Sequence, residues 1–172
     1  MSSFITRKYY YYIDLKGQLF LNSTINKNIA TSLKDKDFLR FFYKQLRLNE
    51  TGESNDYKYI SKCGREMNYC KHEDELACVG FTTLDNDKLL YGGNELFTSF
   101  QPNLIVLNKS NGRLYHPLLE HKYLKNHYGL LSINVASELS NHIITTNTTT
   151  TTTTTDSYQL QWGSKMYDIK TL

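Results

Sequence analysis

The pattern of apolar and polar positions along this chain predicts short strands joined by tight turns. Residues 9–14 are rich in tyrosine, a side chain that fits a half-buried pleated surface. Residues 14–17 combine Asp and Gly as a turn, and residues 18–21 return as the second strand of a hairpin. Two further hairpins are predicted around the turns Asn111-Gly112 and Gly163-Ser164.

Two other segments repeat apolar residues at helical spacing. Residues 36–47 are predicted to form a helix capped by Asp35 or Ser32, with a broad apolar face made of Phe38, Leu39, Phe41, Phe42 and Leu46. Residues 130–144 are predicted to form a second amphipathic helix, with a stripe made of Leu131, Val135 and Leu139.

Helices that are separated from runs of antiparallel strands are typical of the α+β class. We therefore predict antiparallel sheet hairpins with two amphipathic helices packed on them. The elements form a single domain over residues 9–172, which follows an N-terminal tail over residues 1–8. A division into two packed halves near residue 100 is the alternative.

One segment does not fit this pattern. Residues 148–155 are eight consecutive threonines, and residues 145–155 have no periodicity, no charge and no large side chain to bury. Such a segment cannot bury enough apolar surface to offset the entropy of ordering it. We therefore predict a disordered Thr-rich insert over residues 145–156.

Charge and cysteine content narrow the classes of function. The chain has 20 basic and 17 acidic residues and a net charge of +3, which is too weak and too evenly mixed for a nucleic-acid-binding surface. No apolar run approaches the roughly 20 residues that a membrane-spanning helix needs. The 3 cysteines are an odd number with no apolar signal segment before them, so we expect an intracellular, reducing compartment.

The turn Cys63-Gly64-Arg65-Glu66 places three potentially reactive side chains within four residues. The charge of Arg65 could lower the pKa of the Cys63 thiol, and Glu66 could orient Arg65 or act as a base. A nucleophile needs a base within reach, and His116 or His72 could take that role if the fold brings one of them near. These are the candidate catalytic residues, but the same four-residue pattern is also typical of an ordinary tight turn.

The candidate ligand-binding residues are Arg65, Glu66, Arg113 and His116. Arg113 could bind a carboxylate or phosphate through two parallel hydrogen bonds. If these four side chains meet in one concave pocket, chemistry is favoured; if they are dispersed, binding through a flat face is favoured. The spacing of the cysteines contains no close Cys-x2-Cys pair for zinc, so we predict no metal site, and no motif indicates a cofactor.

Five motifs carry a resemblance to a known family, and they occur in the order YYYYIDLKGQLFL, KDKDFLRFFYKQLRLN, YISKCGREMNY, NGRLYHP and LLSINVASELS. Over residues 9–169, apart from the Thr run, the chain resembles the eukaryotic uncharacterised protein family conventionally numbered five-nine-eight, some of whose members are mitochondrial. It is more faintly similar to a bacterial domain family of unknown function. The resemblance implies a fold and a mitochondrial compartment, with the cytoplasm as the alternative, but no activity and no site residues.

The leading hypothesis from the sequence is a non-catalytic soluble domain that binds a protein partner or a small ligand. No motif for covalent or metal chemistry is stronger than its ordinary structural explanation, and aromatic residues are common in interfaces. The alternative is an enzyme or anion-binding domain that uses the Cys63-Gly64-Arg65-Glu66 turn. The identity of the protein partner is left open.

Overall fold

The computed structural model describes residues 7–172, which form four β-sheets, two α-helices and one 3-10 helix. The helices are α1 (Lys36–Gln45) and α2 (Ile133–Ser140), and the 3-10 helix is Pro102–Leu104. The strands in chain order are β1 (Arg7–Ile13), β2 (Leu19–Leu21), β3 (Leu46–Leu48), β4 (Tyr59–Cys63), β5 (Glu66–His72), β6 (Val79–Phe81), β7 (Thr83–Asp85), β8 (Lys88–Tyr91), β9 (Leu96–Ser99), β10 (Val106–Asn108), β11 (Arg113–Pro117), β12 (Tyr128–Leu131), β13 (Ile143–Thr149), β14 (Thr154–Trp162), β15 (Lys165–Asp168) and β16 (Lys170–Thr171).

The α+β class is confirmed, and the three predicted hairpins are present as β1–β2, β10–β11 and β14–β15. The sheets are nevertheless mixed rather than purely antiparallel. The first sheet has the order β2-β1-β5-β4-β3, in which β1 runs parallel to β5 from Arg7↔Glu66 to Ile13↔His72. Residues 1–6 of the predicted tail lie outside the described residues, and β1 begins at Arg7, inside that predicted tail.

Four strands of the second five-stranded sheet are arranged like four strands of the first. Its order is β16-β10-β11-β12-β6, and β6 runs parallel to β12 up to the pair Leu131↔Phe81. In each half, an early strand pairs in parallel with the last of three successive antiparallel strands: β1 with β5, and β6 with β12. The chain passes from one five-stranded sheet to the other in the connection 73–78.

Helix α1 begins where the sequence indicates. The carboxylate of Asp35 accepts a hydrogen bond of 2.8 Å from the backbone N–H of Phe38, as an N-cap residue does. Leu39, Phe42 and Tyr43 are buried, whereas Phe41 is 42% exposed. The helix ends at Gln45, because the next three residues form β3 and pair with β4.

Helix α2 is shorter than predicted, because both ends of the predicted segment belong to strands. Leu130 and Leu131 lie in β12, between β11 and β6, and Ile143 begins β13. A short apolar run fits a buried strand as well as a helix, and periodicity alone cannot separate the two. Strand pairing within the sheet decided the outcome.

The Thr-rich segment differs from the prediction of a disordered insert. Strands β13 and β14 pair from Ile143↔Leu160 to Thr149↔Thr154, so residues 145–156 form the outer end of a two-stranded ribbon. Threonine is β-branched and favours extended backbone, and the ladder of backbone hydrogen bonds needs no buried side chain. Every side chain from 144 to 157 is exposed, so this end of the ribbon adds nothing to the core.

One continuous core joins the two five-stranded sheets and both helices; among its members are Ile13, Phe42, Phe81, Leu131 and Leu139. The halves also meet through backbone at Gly17 and Gly80. A Cβ atom on Gly80 would lie 2.4 Å from the Cα of Gly17, so neither position has room for a side chain. Within residues 7–172, no helix combines the length and the apolar character that crossing a bilayer requires.

We predict that Phe42→Ala lowers the free energy of unfolding by about 3–5 kcal/mol, because it leaves a cavity in the core. The Phe42 side chain is fully buried, and its ring contacts those of Tyr11, Phe38 and Tyr43. Urea unfolding measures the effect, and Phe41→Ala on the exposed side of the same helix is the matched control, with an expected loss below about 1 kcal/mol. Equal losses in the two variants would contradict the assignment of the buried face.

We also predict that replacing residues 148–155 by Asn-Gly changes the free energy of unfolding by less than about 0.5 kcal/mol, as for other surface changes. The new two-residue turn would close the ribbon beyond the pair Asn147↔Asp156. Thermal unfolding of both proteins provides the measurement. A fall of several degrees in Tm would mean that the outer ribbon stabilises the domain.

Candidate functional site

The turn from Cys63 to Glu66 is a two-residue hairpin connection between β4 and β5. Gly64 has a positive φ of 57° at the first central position, as a type II′ turn requires. Arg65 is exposed, and its side chain forms no hydrogen bond or ion pair within residues 7–172. Glu66 lies 3.7 Å from Arg7, measured from carboxylate to guanidinium, and Cys63 is a free, partly buried thiol.

His116 lies in β11 of the other five-stranded sheet and is fully buried. Its Nε2 accepts a hydrogen bond of 3.0 Å from the Gln101 N–H, so Nδ1 donates to the Pro117 carbonyl at 2.8 Å. Its ring packs between those of Phe81 and Phe100. Burial lowers the pKa of His116. None of these partners belongs to the 63–66 turn.

Arg113 links β11 to the connection between the two five-stranded sheets. Its guanidinium donates to Asp74 Oδ2 at 2.8 Å, and the hydroxyl of Tyr115 donates to the same oxygen at 2.7 Å. Burial raises the pKa of Asp74, but the hydrogen bonds from Tyr115 and Arg113 outweigh it, and the net effect is a lowered pKa. Because Asp74 lies in the connection between the sheets, Arg113 holds that connection against β11. The four predicted ligand-binding residues are therefore dispersed over the two sheets.

The structure has a different concave site, which we call the central cleft. Its inner part has a volume of about 280 Å³ and lies against α1. Its outer part has a volume of about 520 Å³ and reaches the N-terminus of α2. The two parts share Gln18, Ile29 and Thr82 as lining residues.

The topology explains the position of the central cleft. The turn after β1 carries Lys16, Gly17 and Gln18, and Thr82 follows β6, so the carboxyl ends of two strands of the parallel pairs meet here. Ligands commonly bind at the carboxyl ends of parallel strands. The close contact between Gly17 and Gly80 holds the turn against the second sheet.

In each half, one polar residue follows the parallel pair of strands at its carboxyl end: Glu73 after β5 and Ser132 after β12. The side chains of these two residues differ in their hydrogen bonding. In the first half, the N–H of Glu73 donates to Ile13 O at 2.8 Å, and its carboxylate accepts from Leu15 N at 3.0 Å. In the second half, the N–H of Ser132 donates to Phe81 O at 2.9 Å, but its hydroxyl has no partner within residues 7–172. The shorter side chain leaves this end of the second pair open.

Three residues that line the central cleft each have a buried side-chain polar atom without a partner. The atoms are Gln18 Oε1, Tyr43 Oη and Ser132 Oγ, three of the five such atoms within residues 7–172. An unpaired buried polar group costs about 1–3 kcal/mol, so a cluster of them requires an explanation.

The charge of the central cleft is positive. Lys16, Lys34 and Lys36 line it, and no Asp or Glu does so within the described part of the chain. Lys34 donates to the carbonyl groups of Ile29 and Ser32, which fixes its position in the loop before α1. Lys16 is exposed, and its ammonium group has no partner within residues 7–172. The cleft therefore favours an anion.

The N-terminus of α2 adds to this preference. An α-helix leaves the N–H groups of its first turn without internal partners, and its dipole favours negative charge there. Ser132 precedes α2, but its side chain makes no capping hydrogen bond. Ser132, Ile133 and Asn134 all line the outer part of the cleft. Helix N-termini of this kind bind phosphate and carboxylate groups.

The sequence marked Lys16 and Gly17 only as parts of a turn, and it did not mark Tyr43 or Ser132 at all. The short turn signal between residues 14 and 17 could have drawn attention to Lys16. Nothing in the local sequence indicates that Ser132 lacks a partner, because its surroundings come from distant segments. The site residues that the sequence missed are those whose role depends on the packing of both halves.

His72 is the most strongly perturbed histidine of the described chain. It is 8% exposed, and its Nδ1 accepts a hydrogen bond of 2.9 Å from the Asp74 N–H, which leaves the proton on Nε2. Burial lowers the pKa of His72 to about 4 and outweighs the opposing effect of Asp74. Burial likewise lowers the pKa of His121, whose Nε2 donates to the Tyr43 carbonyl at 2.7 Å.

Two further findings come from comparison with known proteins. The model of a protein family described as Domain of unknown function (DUF4505) matches residues 2–172. No solved structure matches this chain significantly.

Within residues 7–172, no group of three or more His, Cys, Asp or Glu side chains is arranged to hold a metal ion.

We predict that acid destabilises this protein through its buried histidines. The folded pKa of His72, about 4, lies below the ordinary value near 6.5, so the unfolded state binds more protons between these values. Stability is therefore complete above about pH 6.5 and falls by up to about 3 kcal/mol for His72 as the pH drops to 4. Urea unfolding at pH 7, 6 and 5 measures this slope.

The variant His72→Gln should flatten the slope, because glutamine does not titrate. His142→Gln is the control, since His142 is exposed, and it should keep the slope of the unmodified protein. Identical slopes for all three proteins would show that His72 does not carry the acid sensitivity.

Proposed function

The chain belongs to the family described as Domain of unknown function (DUF4505), and we propose that it is a non-catalytic domain that binds a small anionic ligand in the central cleft. The observation that carries this proposal is the hydroxyl of Ser132, which is buried, unpartnered and placed at the uncapped N-terminus of α2. The three lysines that line the same cleft support it.

The composition of the cleft favours binding over catalysis. A hydroxyl nucleophile needs an adjacent general base, and the cleft lining contains no histidine and no carboxylate within residues 7–172. Burial raises the pKa of Tyr43 well above its ordinary value, so this hydroxyl stays protonated. The groups that remain are hydrogen-bond donors, acceptors and positive charges, which are the groups of a binding site.

The turn at Cys63, Arg65 and Glu66 is the alternative site for an enzyme or anion-binding function. The open guanidinium of Arg65 supports anion binding there. No partner base lies among the contacts of this turn in residues 7–172, and His116 has its own partners in the other sheet. For these reasons we prefer the central cleft.

We further propose that the protein is intracellular, in the mitochondrion or, as the alternative, in the cytoplasm. The three unpaired cysteines support a reducing compartment. Burial raises the pKa of Cys78 to about 12, so that thiol stays protonated and unreactive. The mitochondrial assignment depends on the finer resemblance to the family numbered five-nine-eight and is part of the proposal, as is an unidentified protein partner.

We predict that inorganic phosphate stabilises this protein against thermal unfolding, relative to chloride at equal ionic strength. At a concentration ten times the Kd, binding raises the free energy of unfolding by about 1.4 kcal/mol. Lys16→Ala and Ser132→Ala should each reduce this gain without lowering the stability of the free protein, since one side chain is exposed and the other caps nothing.

Arg65→Ala is the matched control, because it removes an exposed positive charge outside the central cleft. It should keep the full response to phosphate. If Arg65→Ala removes the response while Lys16→Ala keeps it, the anion binds at the 63–66 turn. If phosphate has no effect beyond that of ionic strength, the proposed function is wrong.

A further inference from the structure

Strand β13 is the longest sheet edge within residues 7–172. It lies at one edge of the three-stranded sheet β13-β14-β15 and has seven residues, Ile143–Thr149. The other edge strands of the four sheets have at most four residues each. A free edge offers unpaired backbone groups to another chain, and proteins commonly protect it by shortness, charge or proline. Strand β13 has no charged residue and no proline.

The ladder with β14 determines which backbone groups of β13 are free. Thr150 N–H donates to Thr153 O at 2.9 Å, and Gln161 N–H donates to His142 O at 2.8 Å, at the two ends of this ladder. Hydrogen-bonded and non-hydrogen-bonded pairs alternate along antiparallel strands, so the even-numbered residues of β13 bond to β14. The odd-numbered residues over 145–149 direct their N–H and C=O groups outward, and no hydrogen bond within residues 7–172 reaches those groups.

The outer part of β13 is accessible from its free side. Strand β15 pairs with β14 only over residues 159–162, so the ribbon formed by residues 145–149 and 154–158 projects beyond the third strand. Residues 144–149 are all exposed. The ladder with β14 already holds their backbone extended, which is also the conformation that threonine favours. An extended backbone of another chain is the group that pairs with such an edge.

The charge of the ribbon favours a second copy of this chain at β13. Self-pairing of β13 brings no like charges together, and cross-strand pairs of threonines are favourable. The outward edge of β14 is shorter, because the carbonyl of Tyr158 already accepts a hydrogen bond of 2.8 Å from the N–H of Ile169. Self-pairing there would also bring Asp156 close to the same carboxylate of the second copy, and like charges across a strand pair are destabilising.

We propose that two copies of this chain pair through β13, as antiparallel strands related by a two-fold axis at Asn147. Asn147 then lies opposite Asn147 of the second copy, and Thr145 lies opposite Thr149. The outward N–H and C=O groups of these residues form two hydrogen bonds in each pair. The pairing is closed, as in most homodimers. Strand β13 does not line the central cleft, so this inference is independent of the proposed anion binding.

Sedimentation equilibrium of the full chain, over about a hundredfold range of concentration, tests the pairing. A strand pair is a small interface, so we expect a weak dimer whose mean mass rises with concentration toward twice that of one chain. Asn147→Pro should remain monomeric, because proline removes the N–H that faces the second copy. Its fold should persist, since proline is tolerated on the free side of an edge strand. Asn147→Ala is the matched control, because it keeps the N–H and should still dimerise.

Exchange of charge at the same position provides a second test that does not need proline. Residue 147 lies directly opposite its own copy in the proposed pairing. Asn147→Lys and Asn147→Asp should therefore each dimerise about fivefold more weakly than the unmodified chain at low salt, because like charges then face each other. An equimolar mixture of the two variants should recover association, as a heterodimer in which lysine faces aspartate.

Each other outcome contradicts the pairing in a different way. If folded Asn147→Pro dimerises as Asn147→Ala does, or if the mixture of charged variants gains nothing, the dimer uses another surface. Growth beyond a dimer would mean that β13 pairs with a different edge of the next copy. If the chain stays monomeric, the inference is wrong. Protection of the 145, 147 and 149 amides from hydrogen exchange by an added threonine-rich peptide would then identify a peptide as the occupant of this edge.

Discussion

The contact between the backbones of Gly17 and Gly80 is the constraint on which the site depends. It brings the turn after β1 against the edge strand of the second sheet, with no room for a Cβ atom on either residue. Gly17 also has a positive φ of 78°, a conformation that residues with side chains rarely adopt. Because of this contact, Lys16 and Gln18 from the first half reach Thr82 and Ser132 in the second.

The two halves share a four-strand arrangement but differ at the carboxyl end of the parallel pair. Each contains a parallel pair of strands whose carboxyl end is followed by a polar side chain. In the first half Glu73 satisfies the turn beside it, whereas in the second half Ser132 does not, and a helix begins there instead. The connection after β5 is therefore closed by hydrogen bonds, whereas the connection after β12 borders an open cleft that is lined by lysines.

The residues with the most conspicuous chemistry in the sequence hold the fold together. Arg113 and Tyr115 neutralise and position Asp74 in the connection between the sheets. His116 is buried as a neutral ring whose two nitrogens both have backbone partners, and His72 Nδ1 accepts from the Asp74 N–H. Burying a charged or polar side chain costs free energy unless it is hydrogen bonded. Charged and titratable side chains that suggest chemistry in a sequence can therefore have a structural role instead.

The sequence by itself determined the local structure. The Asp35 cap, the helical spacing in α1 and the glycine turns of three hairpins depend on residues within a few positions of one another, so each is readable from a short segment. The α+β class followed from the order of those segments. The Cys63-Gly64-Arg65-Glu66 turn was likewise recognisable as a turn, although its chemical role was not.

Only the tertiary structure decided the parallel pairing of β1 with β5 and of β6 with β12, since partners so distant leave no local pattern. The same pairing made Leu130 and Leu131 a strand rather than a helix, and the ladder between β13 and β14 ordered a segment that has nothing to bury. The central cleft has the same origin. Whether Ser132 or Tyr43 finds a hydrogen-bond partner depends on what the rest of the chain brings within about 3 Å of it, and that is a property of the folded molecule.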